Sequence, residues 1–143
     1  MGQRAAIILA AGQGTRMKSA LPKVLHKVGG RAMIDWSIDL AKRSGCETII
    51  VVISPGSPDL RAHVEAALGA DAIAVQDPPL GTGHAVQAAE AALGGFKGDV
   101  AVLYGDTPLI PASALEDLFQ ALETGSAMGV LGFDAADPGL YGR

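Results

Sequence analysis

The order of apolar and polar residues divides the chain into continuous apolar runs and stretches with helical spacing. The apolar runs predict strands buried on both faces, at residues 5–10, 48–53, 72–75, 99–104 and 127–133. Apolar residues three or four positions apart predict amphipathic helices, at residues 32–43, 58–68, 83–93 and 111–122. Gly45 is expected to end the first helix, and Pro58 to stand in the first turn of the second.

Strands that alternate with helices indicate the α/β fold class. We predict one domain over residues 1–143, with a Rossmann-like, mostly parallel sheet flanked by helices. No closing helix follows the last predicted strand, so this sheet is expected to be incomplete at its C-terminus. Ligands of such sheets bind at the carboxyl ends of the strands, which directs attention to the loops that follow them.

Composition narrows the function classes. Hydrophobic residues make up 49% of the 143 residues and aromatic residues only 4%, which disfavours a stacking platform for single-stranded nucleic acid. The single cysteine, Cys46, excludes a disulfide within the chain and favours a reducing compartment, so we expect a cytoplasmic protein. Residues 1–11 superficially resemble a signal peptide, but the apolar run is short, and no stretch is long enough for membrane insertion.

The formal net charge of −4 is unevenly distributed. Eight of the eleven lysines and arginines lie within the first 46 residues, where only Asp35 and Asp39 are acidic. This segment suggests a local anion site on an acidic protein, and a solvated basic face explains the same count equally well.

A glycine loop, LAAGQGTRM at residues 9–17, follows the first predicted strand. It lacks the string of a P-loop, and Met17 stands where the dinucleotide-binding fingerprint needs a third glycine. Gly12 and Gly14 are expected to take positive φ and let the backbone approach phosphate oxygens, with Arg16 as a permanent, forked cation. An ordinary tight turn from strand to helix is the alternative interpretation.

Four motifs in order carry a resemblance to a known family. LAAGQGTRM with LPKVLH (21–26), then QDPPLGTGHA (76–85), YGDTPL (104–109) and YGR (141–143), resemble the sugar-nucleotide pyrophosphorylase family. More narrowly, they resemble the uridylyltransferase domain of the bacterial bifunctional enzyme that makes UDP-N-acetylglucosamine for the cell wall. The resemblance implies that UTP and N-acetylglucosamine 1-phosphate react with Mg²⁺ as cofactor, and that pyrophosphate leaves.

The resemblance also implies site residues. Arg16 and Lys23 are the catalytic cations, and Asp106 is the metal ligand. Substrate contacts fall on Leu9, Ala10, Ala11, Gly12, Gly14, Thr15, Lys23, Gln76, Gly81, Thr82, Tyr104, Gly105, Asp106 and Gly142.

Some of these residues have structural alternatives. The amide of Gln76 suits the imide edge of uracil, but Gln76 could instead be a surface strand end. Thr82 could serve as a helix N-cap, and Asp106 as a turn cap. His84 is expected to pack or cap without a catalytic role, and Lys18 and Lys27 to be solvated.

Two alternative functions remain open. Another nucleotidyltransferase with a different base or sugar, or a non-catalytic nucleotide-binding module, would share the glycine loop; a dinucleotide oxidoreductase is disfavoured by the missing third glycine. The family places further strands, with sugar-binding residues and a second metal ligand, after the position of Arg143. We therefore expect weak binding of uridine nucleotide with slow or no turnover, and a homo-oligomeric full-length parent.

Overall fold

The elements alternate along the chain as the hydrophobic pattern predicts. The computed structural model describes residues 2–12, 14 and 17–140. Within these residues the elements are β1 (Arg4–Leu9), β2 (Lys27–Val28), β3 (Arg31–Ala32), α1 (Met33–Arg43), β4 (Thr48–Ile53), α2 (Pro58–Leu68), β5 (Ile73–Val75), α3 (Thr82–Ala88), α4 (Glu90–Leu93), β6 (Asp99–Tyr104) and α5 (Ala112–Glu123), with 3-10 turns at Lys23–Leu25 and Ala70–Ala72.

Four parallel strands form the central sheet in the order β5-β4-β1-β6. Ala5 of β1 pairs with Thr48 of β4 on one side and with Val100 of β6 on the other. β2 and β3 form a small separate antiparallel hairpin. The predicted α/β class with a parallel sheet is confirmed.

Two apolar layers cover the two faces of this sheet. Because side chains alternate along a strand, Ile8 of β1 packs into the layer shared with α1, α2 and α5, whereas Ile7 packs into the layer shared with α3. Both isoleucines are buried, so β1 is covered on both faces, as its uninterrupted apolar run predicts.

The ends of the helices follow simple backbone rules. Pro58 is the first residue of α2, where its missing N–H costs no helical hydrogen bond. Gly45 has φ of 76° directly after α1 and ends that helix, as predicted. The helix predicted over 83–93 is two short helices that meet at Ala89.

The strand predicted at residues 127–133 is wrong. This segment has no regular structure, and its side chains are largely exposed, with Met128 and Val130 both 78% accessible. An apolar run becomes a strand only where a neighbouring strand pairs with its backbone groups, and none of the described strands pairs with residues 127–133. Gly129 instead packs beside Leu118 of α5, where an added Cβ would lie 2.9 Å from the leucine Cδ2.

No helix in the described part of the chain is both long and apolar enough to cross a membrane.

Candidate active site

Backbone hydrogen bonds continue beyond the carboxyl ends of the parallel strands and bring the motif segments together. The Ala10 N–H donates to the Val52 carbonyl at 2.9 Å, and the Gln76 N–H donates to the Ile53 carbonyl at 2.9 Å. The Gly105 N–H donates to the Leu9 carbonyl at 3.0 Å. Three motifs that are far apart in sequence therefore meet at one edge of the sheet.

A cleft opens at this edge, composed of two adjoining cavities of about 340 and 420 Å³. Both sizes lie in the range of small-molecule sites. The larger cavity contains many of the predicted substrate residues: Leu9, Ala10, Ala11, Gly12, Gly14, Lys23, Gln76, Gly81, Thr82, Tyr104 and Asp106. The predicted residues Thr15, Arg16 and Gly142 lie outside the described residues.

Two glycines are required by their surroundings. Gly14 has φ of 56°, and a Cβ added to it would lie 2.8 Å from the Cβ of Lys23. A Cβ added to Gly105 would lie 3.1 Å from a methyl carbon of Val24 and 3.3 Å from the Leu9 carbonyl oxygen. Gly14 therefore fits the loop against Lys23, and Gly105 allows the segment after β6 to pack under the cleft.

The prediction of positive φ at Gly12 is wrong, because the turn is made at Gly14 instead. A Cβ at Gly12 would meet nothing within 4 Å. Gly12 lines both cavities, so its missing side chain leaves space in the cleft.

Lys23 and Asp106 form an ion pair in the cleft, with 2.9 Å between Nζ and Oδ2. Lys23 follows Pro22 and begins a 3-10 turn, whereas Asp106 follows β6 by two residues. In the turn after β6 it is Thr107 whose hydroxyl donates to the Tyr104 carbonyl, at 3.1 Å. The turn-cap alternative for Asp106 is therefore wrong, because its carboxylate is directed to Lys23.

Asp106 can contribute to a divalent cation site only in combination with other donors. Among the described residues no group of three or more His, Cys, Asp or Glu side chains is arranged to hold a metal ion. Mg²⁺ commonly takes one or two carboxylates and fills its other positions with water and substrate phosphate oxygens. A half-exposed carboxylate in a cleft, with a lysine as its replaceable partner, fits that kind of site.

Gln76 is buried, with 5% of its surface exposed, so the alternative of a surface strand end is wrong. Its Nε2 donates to the Gly81 carbonyl at 3.0 Å and lies 3.2 Å from Nδ1 of His84. His84 therefore contacts a predicted base-binding residue, which sequence reasoning missed; the only available signal was its place eight positions after Gln76 in the same motif.

Gly81, with φ of 106°, is the N-cap residue of α3, and Thr82 is the first helical residue. The alternative of Thr82 as N-cap is therefore wrong. Glycine takes this position because its backbone conformation is strained for residues with a side chain. Thr82 lines the larger cavity.

Ser37 is a second residue that sequence reasoning missed. The Ser37 side chain is buried, and its hydroxyl donates to the Tyr104 carbonyl at 2.9 Å. This contact joins α1 to the end of β6, directly before Gly105 and Asp106. No local sequence signal distinguishes Ser37 from other serines on a helix.

The basic N-terminal segment contributes little described charge to the cleft. Arg4 lies at the amino end of β1 and bonds Glu116 and Glu123 of α5, and Lys18 and Lys27 are exposed, as predicted. Of the segment's cations with described positions, Lys23 alone lines the cavities. The count of charges therefore does not by itself locate the anion site.

The resolved pKa shifts also lie away from the cleft. Hydrogen bonding to Glu116 raises the pKa of Arg4, and the same contact lowers the pKa of the Glu116 carboxyl. Burial raises the pKa of the Cys46 thiol to about 11. These groups belong to the amino end of the sheet and stabilise the fold there.

Comparison with known proteins shows the family to which this chain is similar. Residues 6–141 match the model of the MobA-like NTP transferase domain. The chain is 62% identical over 141 residues to the bifunctional protein GlmU of Hyphomonas neptunium, covering 99% of this chain and 31% of that protein. The chain thus spans about a third of the length of this relative.

Two solved structures have the same fold. The UTP-bound UGPase from Acinetobacter baumannii superposes with a TM-score of 0.67 and 26% identity, over 87% of this chain and 54% of that one. The inositol-1-phosphate CTP transferase from T. maritima superposes with a TM-score of 0.67 and 27% identity, over 82% of this chain and 49% of that one. These matches confirm the family resemblance predicted from the four motifs.

Proposed function

Because the chain belongs to the MobA-like NTP transferase domain family, we propose that its cleft binds UTP and serves the transfer of a uridylyl group to N-acetylglucosamine 1-phosphate. The products are UDP-N-acetylglucosamine and pyrophosphate. The observation that carries this proposal is the cleft itself, where Gly14, Lys23, Gln76 and Asp106 meet at the carboxyl edge of a parallel sheet. The identity to a bifunctional GlmU protein supports the choice of base and sugar.

The base is proposed to lie near Gln76 and Gly81. The small side chains of Ala10 and Ala11 leave room for a flat ring or a ribose in the same cavity. The amide of Gln76 is buried and has one polar group free for a ligand, so it can select a base by hydrogen bonding. An exposed amide would lose this selectivity because water would compete for the same group.

The triphosphate is proposed to lie between the glycine loop and Lys23. Backbone N–H groups of such a loop form an anion-binding concavity, and the Lys23 ammonium adds a point charge beside it. Arg16 is proposed as the second cation on the phosphates, from its place in the same motif.

The proposed reaction is a direct displacement. A phosphate oxygen of the sugar phosphate attacks the α-phosphorus of UTP, and the bond from that phosphorus to the bridging oxygen breaks, so pyrophosphate leaves with the bonding electrons. Lys23 neutralises charge on the phosphates, and the loop holds them in line with the incoming oxygen. Asp106 would hold a Mg²⁺ ion, whose role is to neutralise phosphate charge.

Binding and turnover should be measured separately, because the chain spans only about a third of its 62% identical relative. Calorimetric titration with UTP, CTP, GTP and dTTP in the presence of Mg²⁺ is expected to show a preference for UTP. Pyrophosphate release with UTP and N-acetylglucosamine 1-phosphate is expected to be slow or absent. Asp106→Asn is expected to remove the Mg²⁺ dependence of UTP binding. Equal affinity for all four nucleotides, or no binding of any, would contradict the proposal.

A further inference from the structure

We propose that His84 is a positioning residue that fixes the amide of Gln76 so that its oxygen faces the base. In this orientation the cleft selects nucleotides whose base has an imide N–H, such as uracil, over nucleotides of cytosine. This inference rests on the proposed function, and it adds a residue and a physical basis for the choice of base.

The hydrogen bonds around Gln76 define which end of its amide points inward. A backbone carbonyl can only accept, so the amide group 3.0 Å from the Gly81 oxygen must be the NH₂. The second N–H of that group is directed to His84 Nδ1 at 3.2 Å, which accepts when the imidazole proton is on Nε2. Both donors of Gln76 are thus used within the protein.

The oxygen of Gln76 is the group left for a ligand. No described residue donates a hydrogen bond to it, and Gln76 lines both cavities of the cleft. Without His84, one amide hydrogen would lack a partner, and rotation of the amide could exchange its oxygen and nitrogen at lower cost. The contact with His84 therefore opposes the flip.

One short segment supplies both acceptors. The Gly81 carbonyl also accepts from the Ala85 N–H at 3.1 Å as the first turn of α3 forms. Ala85 is buried in the layer shared with β1 and β4, which anchors this turn against the sheet. His84 is half-buried on the same turn, so its ring is held next to Gln76.

The orientation matters because the two pyrimidines present opposite groups at N3. Uracil has an N–H at N3, which can donate to the amide oxygen of Gln76. Cytosine has a lone pair there, so the same oxygen would face an acceptor and both groups would stay unpaired. A fixed oxygen therefore favours UTP. An amide that is held by the Gly81 carbonyl alone can exchange its oxygen and nitrogen at lower cost and discriminates less between the two bases.

The test compares dissociation constants for UTP and CTP, with Mg²⁺, among variants of His84. His84→Phe keeps the ring without an acceptor and is expected to reduce the UTP-to-CTP preference by about tenfold. His84→Asn places an amide oxygen near the position of Nδ1 and is expected to restore most of the preference. Gln87→Leu, an exposed residue on the same helix, serves as the matched control and is expected to change nothing.

A second measurement does not depend on the variants folding. The ¹⁵N shifts of the imidazole in the nucleotide-free wild type are expected to show an unprotonated Nδ1 and a protonated Nε2. A proton on Nδ1 would overturn the inference, as would His84→Phe that folds and keeps the wild-type preference. If the wild type binds neither nucleotide, the proposed function fails, whereas UTP preference that is independent of His84 defeats only the inference.

Discussion

Replacement of Lys23 by methionine should change two affinities in opposite directions. The Lys23 ammonium lies 2.9 Å from the Asp106 carboxylate, where it would compete with the proposed divalent cation for the same oxygen. When UTP is bound, the proposed role of the ammonium is to contact phosphate. Lys23→Met removes both the competitor and the phosphate contact, and methionine keeps most of the apolar stem.

The magnitude of each effect follows from the exposure of the pair. Lys23 and Asp106 are 40% and 36% exposed, so their interaction is screened by water and is worth about 0.2–1 kcal/mol. Its loss should make binding of a divalent cation alone about 1.4- to 5-fold tighter. A charge-assisted contact with phosphate is worth about 1.5–3 kcal/mol, so UTP should bind roughly 13- to 160-fold more weakly.

The assay is a titration with Mn²⁺, in which electron paramagnetic resonance reports the free ion, together with calorimetry of UTP binding in Mg²⁺. Asp106→Asn measures the background from other surface carboxylates, and Lys27→Met is the control for an exposed lysine outside the cleft. The reasoning is refuted if cation and UTP affinities both fall in Lys23→Met, or if Lys27→Met gives the same pair of changes.

The remaining predictions concern the amino end of the sheet. Arg4→Met leaves the buried Ser44 carbonyl without its donor and removes the cation from the Phe119 ring 4.4 Å away. With the more exposed carboxylates discounted, this should cost about 2–4 kcal/mol. A chain of this length loses about 3 °C in Tm per kcal/mol, so the Tm measured by circular dichroism should fall by about 6–12 °C. An unchanged Tm would contradict the expected loss of stability. Because Arg4 lowers the pKa of Glu116, the stabilisation by that carboxylate is present above the ordinary glutamate pKa and is lost as the pH falls through the lowered value. Glu116→Gln should therefore weaken the loss of stability that urea unfolding detects as the pH falls below the ordinary glutamate pKa, and a variant with the wild-type acid slope would exclude this role.

The sequence pattern predicted the buried strands because each of them is a continuous apolar run, which can be recognised without knowing its neighbours. The runs that became β1 and β4 are buried on both faces, as their apolar patterns predict. The prediction that β6 is also buried on both faces is wrong, because β6 is an edge strand whose Val100 and Val102 are 37% and 43% exposed. The failure at residues 127–133 has the same physical origin. Apolar residues were present there, but the pattern does not reveal whether a ladder partner exists.

The candidate site was predictable as a set of segments and not as a set of contacts. Glycine loops and strand ends are local features, and the fold brings them to one edge. The pairing of Lys23 with Asp106 spans 83 positions, and it depends on how tightly the loop at Gly14 packs against the lysine. The partnership of Gln76 with His84 depends on a glycine cap that places the first turn of α3 beside β5.

The two ends of the sheet show why one ion pair can serve binding and another cannot. Arg4 is almost fully buried and is held by two carboxylates, a backbone carbonyl and an aromatic ring, so a ligand would have to replace several contacts at once. Lys23 and Asp106 have a single contact with each other, and both are open to water. Exchanging that contact for a phosphate and a metal ion costs no more than about 1 kcal/mol, which is less than the new contacts return. Partner exchange at low cost, rather than the number of charges in a segment, is therefore the property that would distinguish the proposed binding edge of this sheet from its structural edge.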